Sequence, residues 1–357
     1  MKLHRAGAQK SSTACGNALM DRPFAAWQSR ILGSLAGGQA RCQPAFGVLQ
    51  CARHSRIDMP ANERASILAE LTPPLSLLRP EVQLTPAVFC SPHSGRIYPK
   101  AFLEASRLDA HTLRKSEDCY VDELFAPVVG LGAPLIAARF PRAYLDVNRE
   151  PYELDPELFT GRIPEFANTQ SARVVGGLGT IARIVADTEE IYRERLPIGA
   201  AFERIERLYR PFHAALADLL ESTRKRFGIA VLIDCHSMPS ASMTQLPGGR
   251  PHFVLGDRFG ASCDAKLTRF VRDMLQGSGY DVQINRPYAG GFITEYYGNP
   301  ARGVQSLQLE INRRLYLDET TLTRSRDFPR LVRTLTDLAA KVFAALPILF
   351  ERRAAAE

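Results

Sequence analysis

The sequence predicts an α/β domain in which a mixed, mainly parallel sheet is covered by helices on both faces. Short apolar runs typical of buried strands alternate with segments whose apolar residues recur at helical spacing, and no internal repeat is present. The clearest unit is a helix predicted over 202–226, which Gly228 ends and a strand at 229–233 follows. In such sheets ligands bind beyond the carboxyl ends of the strands, so polar residues that follow a strand are candidates for a site.

The same two patterns predict the remaining elements. Strands are expected at 87–90, 134–138, 144–149, 280–285 and 305–311. A short helix and a proline-rich connector are expected within 60–80, and further helices at 99–108, 181–195, 267–275 and from Asp327 onward. Pro329 suits the first turn of this last helix. Residues 239–260 are rich in glycine and proline and are predicted to form a loop long enough to cover a site.

Charge divides the chain into two parts. Residues 1–58 contain eight Lys or Arg and two acids, a balance of +6, whereas all 357 residues together carry +7. The rest of the chain therefore lacks the clustered basic residues that nucleic-acid binding requires. We expect 1–58 to be a basic, disordered extension, either a transit-like segment or the product of a start codon set too early, with true initiation at Met59. Residues 59–357 are expected to form the α/β domain.

Other compositional features indicate a cytoplasmic protein that does not bind membranes. No run approaches the ~18 apolar residues of a membrane span, and no secretory signal is recognisable. The seven cysteines are odd in number and lack Cys-x-x-Cys spacing, so a disulfide framework is not expected.

Two histidines are the candidate metal ligands. His93 and His236 each follow an apolar strand and each precede a serine. One histidine after a strand is usually structural, but two in the same context favour a site. Two histidines and a carboxylate can hold Zn²⁺, or another divalent metal, and leave a position open for water. Asp122 is the preferred third ligand, and helical spacing would place it on one face with Asp118.

Further acids have predicted roles around these histidines. Glu123 is the next choice of ligand, and Asp234 is expected to orient a ligand histidine. Strand alternation over 305–311 points Glu310 away from the apolar layer, where it suits a general base. A salt bridge of Glu310 with Arg313 or Arg314 is the simpler structural interpretation.

Several arginines are candidates for binding an acidic substrate. They lie beside predicted strand ends or glycine-rich turns, and a guanidinium there could bind a carboxylate through two parallel hydrogen bonds. These residues are Arg149, Arg183, Arg286 and Arg313. More than one such arginine would suggest more than one carboxylate, although each alone is also explained by a surface ion pair.

At these residues the sequence closely resembles the N-formylglutamate amidohydrolase family. The most specific combination is Ser-Pro-His-Ser-Gly at 91–95 with Asp-Cys-His-Ser-Met at 234–238. The other matching stretches are 118–124, 146–149, 285–291 and 308–316. They occur in the family's order over about 80–320, and none lies in the basic extension.

The resemblance implies a fold similar to zinc carboxypeptidases and aspartoacylase. It also implies that His93 and His236 bind the metal, that Glu310 is the catalytic base, and that Asn148 and Arg149 bind a substrate carboxylate. The His-x-x-Glu pair of the carboxypeptidases is missing, since position 96 is arginine. The third ligand therefore stays open.

The implied reaction is hydrolysis of N-formyl-L-glutamate to formate and L-glutamate, a step of histidine degradation. Two alternatives remain at this stage. One is a zinc deacylase, resembling a carboxypeptidase, that acts on another small acidic N-acyl amino acid. The other is a non-catalytic protein of the same fold that only binds anions.

Overall fold

Seven strands form the central sheet of the computed structural model, which describes residues 61–185, 189–243 and 250–350. The strands in chain order are β1 (Leu75–Leu78), β2 (Ala87–Ser91), β3 (Leu135–Ala138), β4 (Phe159–Thr160), β5 (Ile184–Val185), β6 (Glu189–Glu190), β7 (Leu196–Pro197), β8 (Ala230–Met238), β9 (Phe253–Gly256), β10 (Val282–Ile284), β11 (Val304–Asn312), β12 (Leu317–Asp318) and β13 (Thr323–Arg324). The central sheet has the order β1-β3-β2-β8-β11-β9-β10, and the other strands form two-stranded pairs.

Most neighbours in the central sheet are parallel. Strands β3, β2, β8 and β11 run in one direction, β1 is antiparallel to β3, and β9 is antiparallel to β11 and parallel to β10. Parallel strands present their carboxyl ends at one edge, so β2, β8 and β11 deliver the residues at their ends to the same place.

Ten α-helices are present within the described ranges. They are α1 (Ala61–Glu70), α2 (Lys100–Ala105), α3 (Ala110–Arg114), α4 (Val121–Phe125), α5 (Ala172–Val175), α6 (Ile198–Arg204), α7 (Arg210–Phe227), α8 (Ala265–Gly277), α9 (Phe292–Tyr297) and α10 (Phe328–Leu349). A π-helical turn, Ile205–Tyr209, joins α6 to α7. None of these helices is both long and apolar enough to cross a membrane.

The two faces of the sheet are chemically different. On one face, alternate residues of β8 and β11, such as Ile233 and Leu309, join an apolar core with α4, α8 and α10. Successive side chains of a strand point to opposite faces. His236 and Glu310 therefore lie on the other face, where α7 packs against β8 and β2. The site is built on this second face.

The predicted fold class is confirmed, since the sheet is mixed, mainly parallel and covered on both faces. The long helix, the C-terminal helix and the strands near 87–90, 134–138, 280–285 and 305–311 are present. The strand expected at 229–233 is longer and extends to Met238, so His236 lies within it and not in a loop after it. The predicted extension over 1–58 lies outside the described residues.

Two element predictions are wrong. Residues 144–149 form buried turns and not a strand, because their backbone bonds to distant segments, as when the Asp146 amide donates to the Thr180 carbonyl at 2.8 Å. Within 181–185 and 189–195 the structure has the short strands β5 and β6 and no helix. Their β-branched residues, among them Ile184 and Val185, favour extended backbone.

Two strands of the central sheet were missed. Strand β1 lies in the predicted proline-rich connector, between Pro74 and Pro80, and contains no proline itself. Strand β9 lies inside the predicted covering loop, of which residues 244–249 are outside the described ranges. It has only four residues, so its apolar run is too short to stand out beside the neighbouring glycines and prolines.

Candidate metal centre and active site

The two candidate histidines meet at the carboxyl edge of the sheet. His93 follows β2 by two residues, and His236 lies near the end of β8. Since β2 and β8 are paired in parallel, with Cys90 opposite Asp234, both rings reach the same edge. The ring centroids are 4.9 Å apart, and both side chains are buried.

Asp118 is the carboxylate that completes this group. Its Oδ2 atom lies 3.1 Å from Nδ1 of His236 and 3.4 Å from Nδ1 of His93. The potential ligand atoms of the three residues all lie within 4.8 Å of one another. The Asp118 amide also donates to the His93 carbonyl at 3.0 Å, so the backbone holds two members of the group together.

A second carboxylate orients each imidazole from its far side. Nε2 of His93 is 2.8 Å from Oδ1 of Asp146, and Nε2 of His236 is 2.9 Å from Oδ1 of Asp234. A carboxylate at Nε2 favours a proton there, which leaves the Nδ1 lone pair for a metal. Both Nδ1 atoms face Asp118. The prediction that Asp234 lies behind a candidate ligand histidine agrees with this geometry.

The donor set fits a divalent metal ion. Nδ1 of His93 is buried and has no hydrogen-bond partner, although buried polar atoms almost always have one. Two imidazole nitrogens and one carboxylate oxygen are also the ligands of catalytic zinc sites. A metal could therefore be held by Nδ1 of His93, Oδ2 of Asp118 and Nδ1 of His236.

The charges at the centre are tightly coupled. Burial opposes ionisation of Asp118, but its interactions with the nearby His236 and His93 outweigh burial and hold the pKa of Asp118 well below its usual range. Burial also opposes protonation of His236, yet the charge of Asp234 and the bonds to Asp118 and Asp234 raise the pKa of His236 well above its usual range. Metal binding at His236 must therefore compete with a proton.

The structure does not bring Asp122 into this group, which corrects the choice of third ligand. Oδ2 of Asp122 lies 3.1 Å from Nη2 of Arg96. Helix α4 begins only at Val121, after Tyr120 in a left-handed conformation with φ 61°. Asp118 and Asp122 therefore do not share a helical face.

The second choice, Glu123, is also engaged elsewhere. Its carboxylate pairs with Arg96 at 2.9 Å and with Arg324.

Glu310 lies beside the candidate ligands on the same face of the sheet. It is directly opposite His236 in the parallel pairing of β11 and β8. Its Oε1 accepts a hydrogen bond of 2.9 Å from Nε2 of Gln308. Arg313 pairs with Asp118 instead, so the simpler interpretation of Glu310 as its salt-bridge partner is not supported. Burial raises the pKa of Glu310 to about 7, a value suited to proton transfer near neutral pH.

Asn148 joins the centre to the segment before α9. Its Nδ2 lies 3.3 Å from Nε2 of His236, and its Oδ1 accepts from the Ile293 amide at 2.7 Å. The Gly291 amide donates to Oε1 of Gln308 at 2.7 Å. A Cβ on Gly291 would lie 2.3 Å from Nδ2 of Asn148, so only glycine fits there. The hydrogen bonds to Asn148 and Gln308 hold the start of α9 against the site.

Comparisons with known proteins identify the family of this chain. The sequence profile described as N-formylglutamate amidohydrolase matches residues 85–317. The chain is 31% identical over 238 residues to an N-formylglutamate deformylase of Pseudomonas putida, covering 66% of this chain and 83% of that protein. The chain belongs to the N-formylglutamate amidohydrolase family. A Pseudomonas aeruginosa protein of the same name is 30% identical, with the same two coverages.

A solved structure has the same architecture. The N-formylglutamate amidohydrolase of Ralstonia eutropha JMP134 superposes with a TM-score of 0.74 at 36% identity, covering 77% of this chain and 99% of that one. A gene product of Agrobacterium tumefaciens is 17% identical with a TM-score of 0.55, covering 76% and 95%, and shares the fold. The family match includes every residue of the candidate centre.

The arginines that were predicted to bind substrate differ from one another in their contacts. Arg149 lies beside Asp146. Nη2 of Arg149 lies 3.7 Å from Oδ2 of Asp146, and its Nε donates to the Leu178 carbonyl at 3.0 Å. Burial lowers the pKa of Arg149 to about 10, which keeps it charged at neutral pH. Arg142 was missed by sequence reasoning. Its Nη2 donates to the same Asp146 oxygen at 2.8 Å.

Two of the other three arginines, Arg183 and Arg313, are engaged by the protein itself, and the role of Arg286 stays a prediction. Arg183 pairs with three acids, at 2.7 Å from Asp155, 3.1 Å from Glu157 and 3.6 Å from Glu190. Arg286 is exposed. Arg313 is buried, and each of its three side-chain nitrogens donates to another part of the protein.

Other residues of the site were also missed, and three of them had a usable signal. Gln308 lies two residues before Glu310 and so shares its face of the strand. Asp146 lies in the matching stretch 146–149. Asp118 begins the matching stretch 118–124, although it was not predicted to be a ligand.

Replacing Glu310 with Gln tests the electrostatics of the metal-free site. Wild-type Glu310 keeps its proton up to about pH 7 in the folded state but loses it near 4.5 when unfolded. The wild type should therefore lose stability as the pH rises through this window, by at most about 3 kcal/mol from this group. Glu310→Gln cannot titrate, so its stability relative to wild type should rise over the same window.

The measurement is urea unfolding of the metal-free proteins at a series of pH values. Glu165→Gln is the control, since that side chain is 86% exposed. If Glu310→Gln and wild type keep a constant difference from pH 4.5 to 7, the raised pKa of Glu310 is wrong.

Proposed function

We propose that this protein is a zinc-dependent amidohydrolase that converts N-formyl-L-glutamate and water to formate and L-glutamate, a step of histidine degradation. The observation that carries the proposal is the group of His93, Asp118 and His236 within 4.8 Å, with Glu310 beside it. Membership of the family and the names of its relatives support the substrate. A cytoplasmic location fits the free, buried cysteines of the described residues.

The metal would be held by His93, His236 and Asp118, with Asp118 in place of Asp122. Zinc is proposed because the donor set is that of catalytic zinc sites, although another divalent metal could bind. A bound ion would supply Lewis-acid chemistry, lowering the pKa of water and polarising the carbonyl group under attack. Asp146 and Asp234 would keep both imidazoles aimed at it.

Glu310 would move the proton. Its carboxylate accepts a proton from the water whose oxygen bonds to the formyl carbon, and then gives a proton to the nitrogen as the carbon–nitrogen bond breaks. Gln308 holds Oε1 by a hydrogen bond, which orients the carboxylate for this transfer. A pKa of about 7 allows Glu310 to act both as a base and as an acid near neutral pH.

Arg149, Asn148 and Arg142 are proposed to bind the carboxylates of the substrate. N-formylglutamate carries two negative charges, and Arg142 and Arg149 both lie beside Oδ2 of Asp146, whose Oδ1 is paired with Nε2 of His93. Their positive charges also outweigh the effect of burial and keep the pKa of Asp146 well below its usual range. Asp146 would therefore stay ionised and hold both guanidinium groups in place.

A formate assay after metal removal tests the proposal directly. Chelation should abolish formate release from N-formyl-L-glutamate, and added Zn²⁺ should restore it.

His93→Ala should abolish activity in the same assay. Glu310→Gln should lower kcat by about 10²-fold or more, because general acid–base catalysis is lost. The control is Asp122→Asn, which should retain activity within a few-fold because Asp122 pairs with Arg96.

Three results would count against this account. Full formate release by the chelated protein would remove the metal from the proposal. Acetate release from N-acetyl amino acids, with no formate from N-formyl-L-glutamate, would assign the site to a different acyl group. A protein that binds N-formyl-L-glutamate without turnover would be an anion-binding member of the fold.

The role of Arg149 is tested by replacement with Lys, which keeps the positive charge but replaces the planar guanidinium with a single nitrogen on a flexible chain. We expect KM for N-formyl-L-glutamate to rise by about tenfold, because the lysine ammonium would bind the substrate carboxylate less well than the guanidinium does. A tenfold loss of affinity corresponds to about 1.4 kcal/mol. The measurement is steady-state kinetics of formate release. Arg183→Lys is the matched control and should leave KM unchanged; equal effects of the two replacements would contradict the assignment of Arg149.

A further inference from the structure

We propose that Arg313 is a positioning residue that sets the metal affinity of the centre by fixing Asp118, and that it does not bind substrate. This inference rests on the proposed metal site. It differs from the sequence-based expectation, which assigned Arg313 to a substrate carboxylate.

The environment of Arg313 leaves it little contact with solvent. Its side chain is 6% exposed and that of Asp118 is 1% exposed. Nε donates to Oγ of Ser237 at 3.2 Å, and Nη1 donates to the Lys115 carbonyl at 2.9 Å. Nη2 donates to the Glu117 carbonyl at 2.6 Å and to Oδ1 of Asp118 at 3.3 Å. The guanidinium group is therefore engaged on every nitrogen by the protein itself.

These contacts act on one oxygen of Asp118 and leave the other for the metal. Oδ1 accepts hydrogen bonds from Nη2 of Arg313 and, at 3.1 Å, from Oγ of Ser237. Oδ2 faces Nδ1 of His236 and Nδ1 of His93. Fixing Oδ1 in this way sets the rotation of the carboxylate, so that Oδ2 stays between the two imidazoles.

Arg313 also holds the backbone that carries Asp118. Residues 115–120 form turns and belong to no helix or strand. Two carbonyls of this segment, those of Lys115 and Glu117, accept from Arg313. Arg313 itself begins a 3₁₀ turn directly after β11, the strand that carries Glu310. One side chain thus ties the loop bearing a ligand to the strand bearing the proposed base.

The planar fork of arginine suits this arrangement better than lysine. Three nitrogens in fixed geometry reach Ser237, Asp118 and two carbonyls at once, whereas a lysine has one nitrogen on a flexible chain. Partners that orient metal ligands typically change metal affinity by about 10- to 100-fold when they are mutated. The positive charge of Arg313 has the opposite effect, since it repels a cation. Measured affinity decides which effect is larger.

The test is Co²⁺ titration of the metal-free proteins, followed by affinity and by the visible absorption spectrum of the bound ion. Arg313→Lys and Arg313→Gln should each weaken Co²⁺ binding by about tenfold or more and alter the spectrum. Arg314→Gln is the matched control. This neighbouring arginine is exposed and donates to the Arg250 carbonyl, so its replacement should leave affinity within about twofold of wild type.

Thermal unfolding of the metal-free variants separates loss of fold from loss of the site. If Arg313→Gln does not fold, Arg313→Lys and Ser237→Ala decide the question, because Ser237→Ala removes the other donor to Oδ1. Wild-type affinity in a folded Arg313 variant, or tighter binding, would overturn the role of Arg313 while leaving the proposed function intact. Failure of the wild-type protein to bind Co²⁺ or Zn²⁺ would overturn both.

Discussion

The central constraint on this molecule is the burial of Asp118 between two imidazoles, each of which is held from behind by another carboxylate. Asp118, Asp146 and Asp234 are all nearly inaccessible to solvent. Burying ionised groups is costly unless each is paired and hydrogen-bonded. The surrounding contacts meet this requirement, since Asp146 accepts from Arg142 and Asp234 accepts from Thr294 at 2.8 Å. The order of the site therefore depends on a complete set of partners.

The sheet explains how residues distant in sequence form this group. Parallel pairing of β2, β8 and β11 aligns three strand ends, and the alternation of side chains places His236 and Glu310 on one face. On the opposite face of the same strands, apolar residues such as Ile233 and Leu309 pack in the core that includes α10. A one-residue slip in β11 would turn Glu310 into that core, so burial of Leu309 and Ile311 also fixes the position of the proposed base.

The sequence was informative about side chains whose location in the molecule follows from their position in a strand. The placement of His93, His236 and Glu310 at one edge of the sheet could be predicted, because each lies at or near the end of an apolar strand. Strand periodicity determines the face of His236 and Glu310. The longer β8 changes only whether His236 lies in the strand or after it. The fold class could be predicted for the same reason, since it depends on alternating apolar patterns over the whole chain.

The remaining features depend on contacts that local patterns do not encode. The choice between Asp118 and Asp122 depends on the left-handed conformation of Tyr120, which ends any helical relation between them. The partners of Arg313 are backbone carbonyls almost 200 residues away, and no sequence motif marks a carbonyl as an acceptor. Residues 144–149 resemble a strand because they are buried, but burial alone does not distinguish a strand from a turn that packs inside the protein.

The most direct test of the central claim is a crystal structure of the purified protein, with diffraction data collected above and below the zinc absorption edge. The account predicts one anomalous peak about 2.0–2.1 Å from Nδ1 of His93 and from Nδ1 of His236, and about 2.0–2.2 Å from a carboxylate oxygen of Asp118. A peak coordinated by Asp122, coordination through either Nε2 atom, or no peak at this position after zinc is supplied would contradict it.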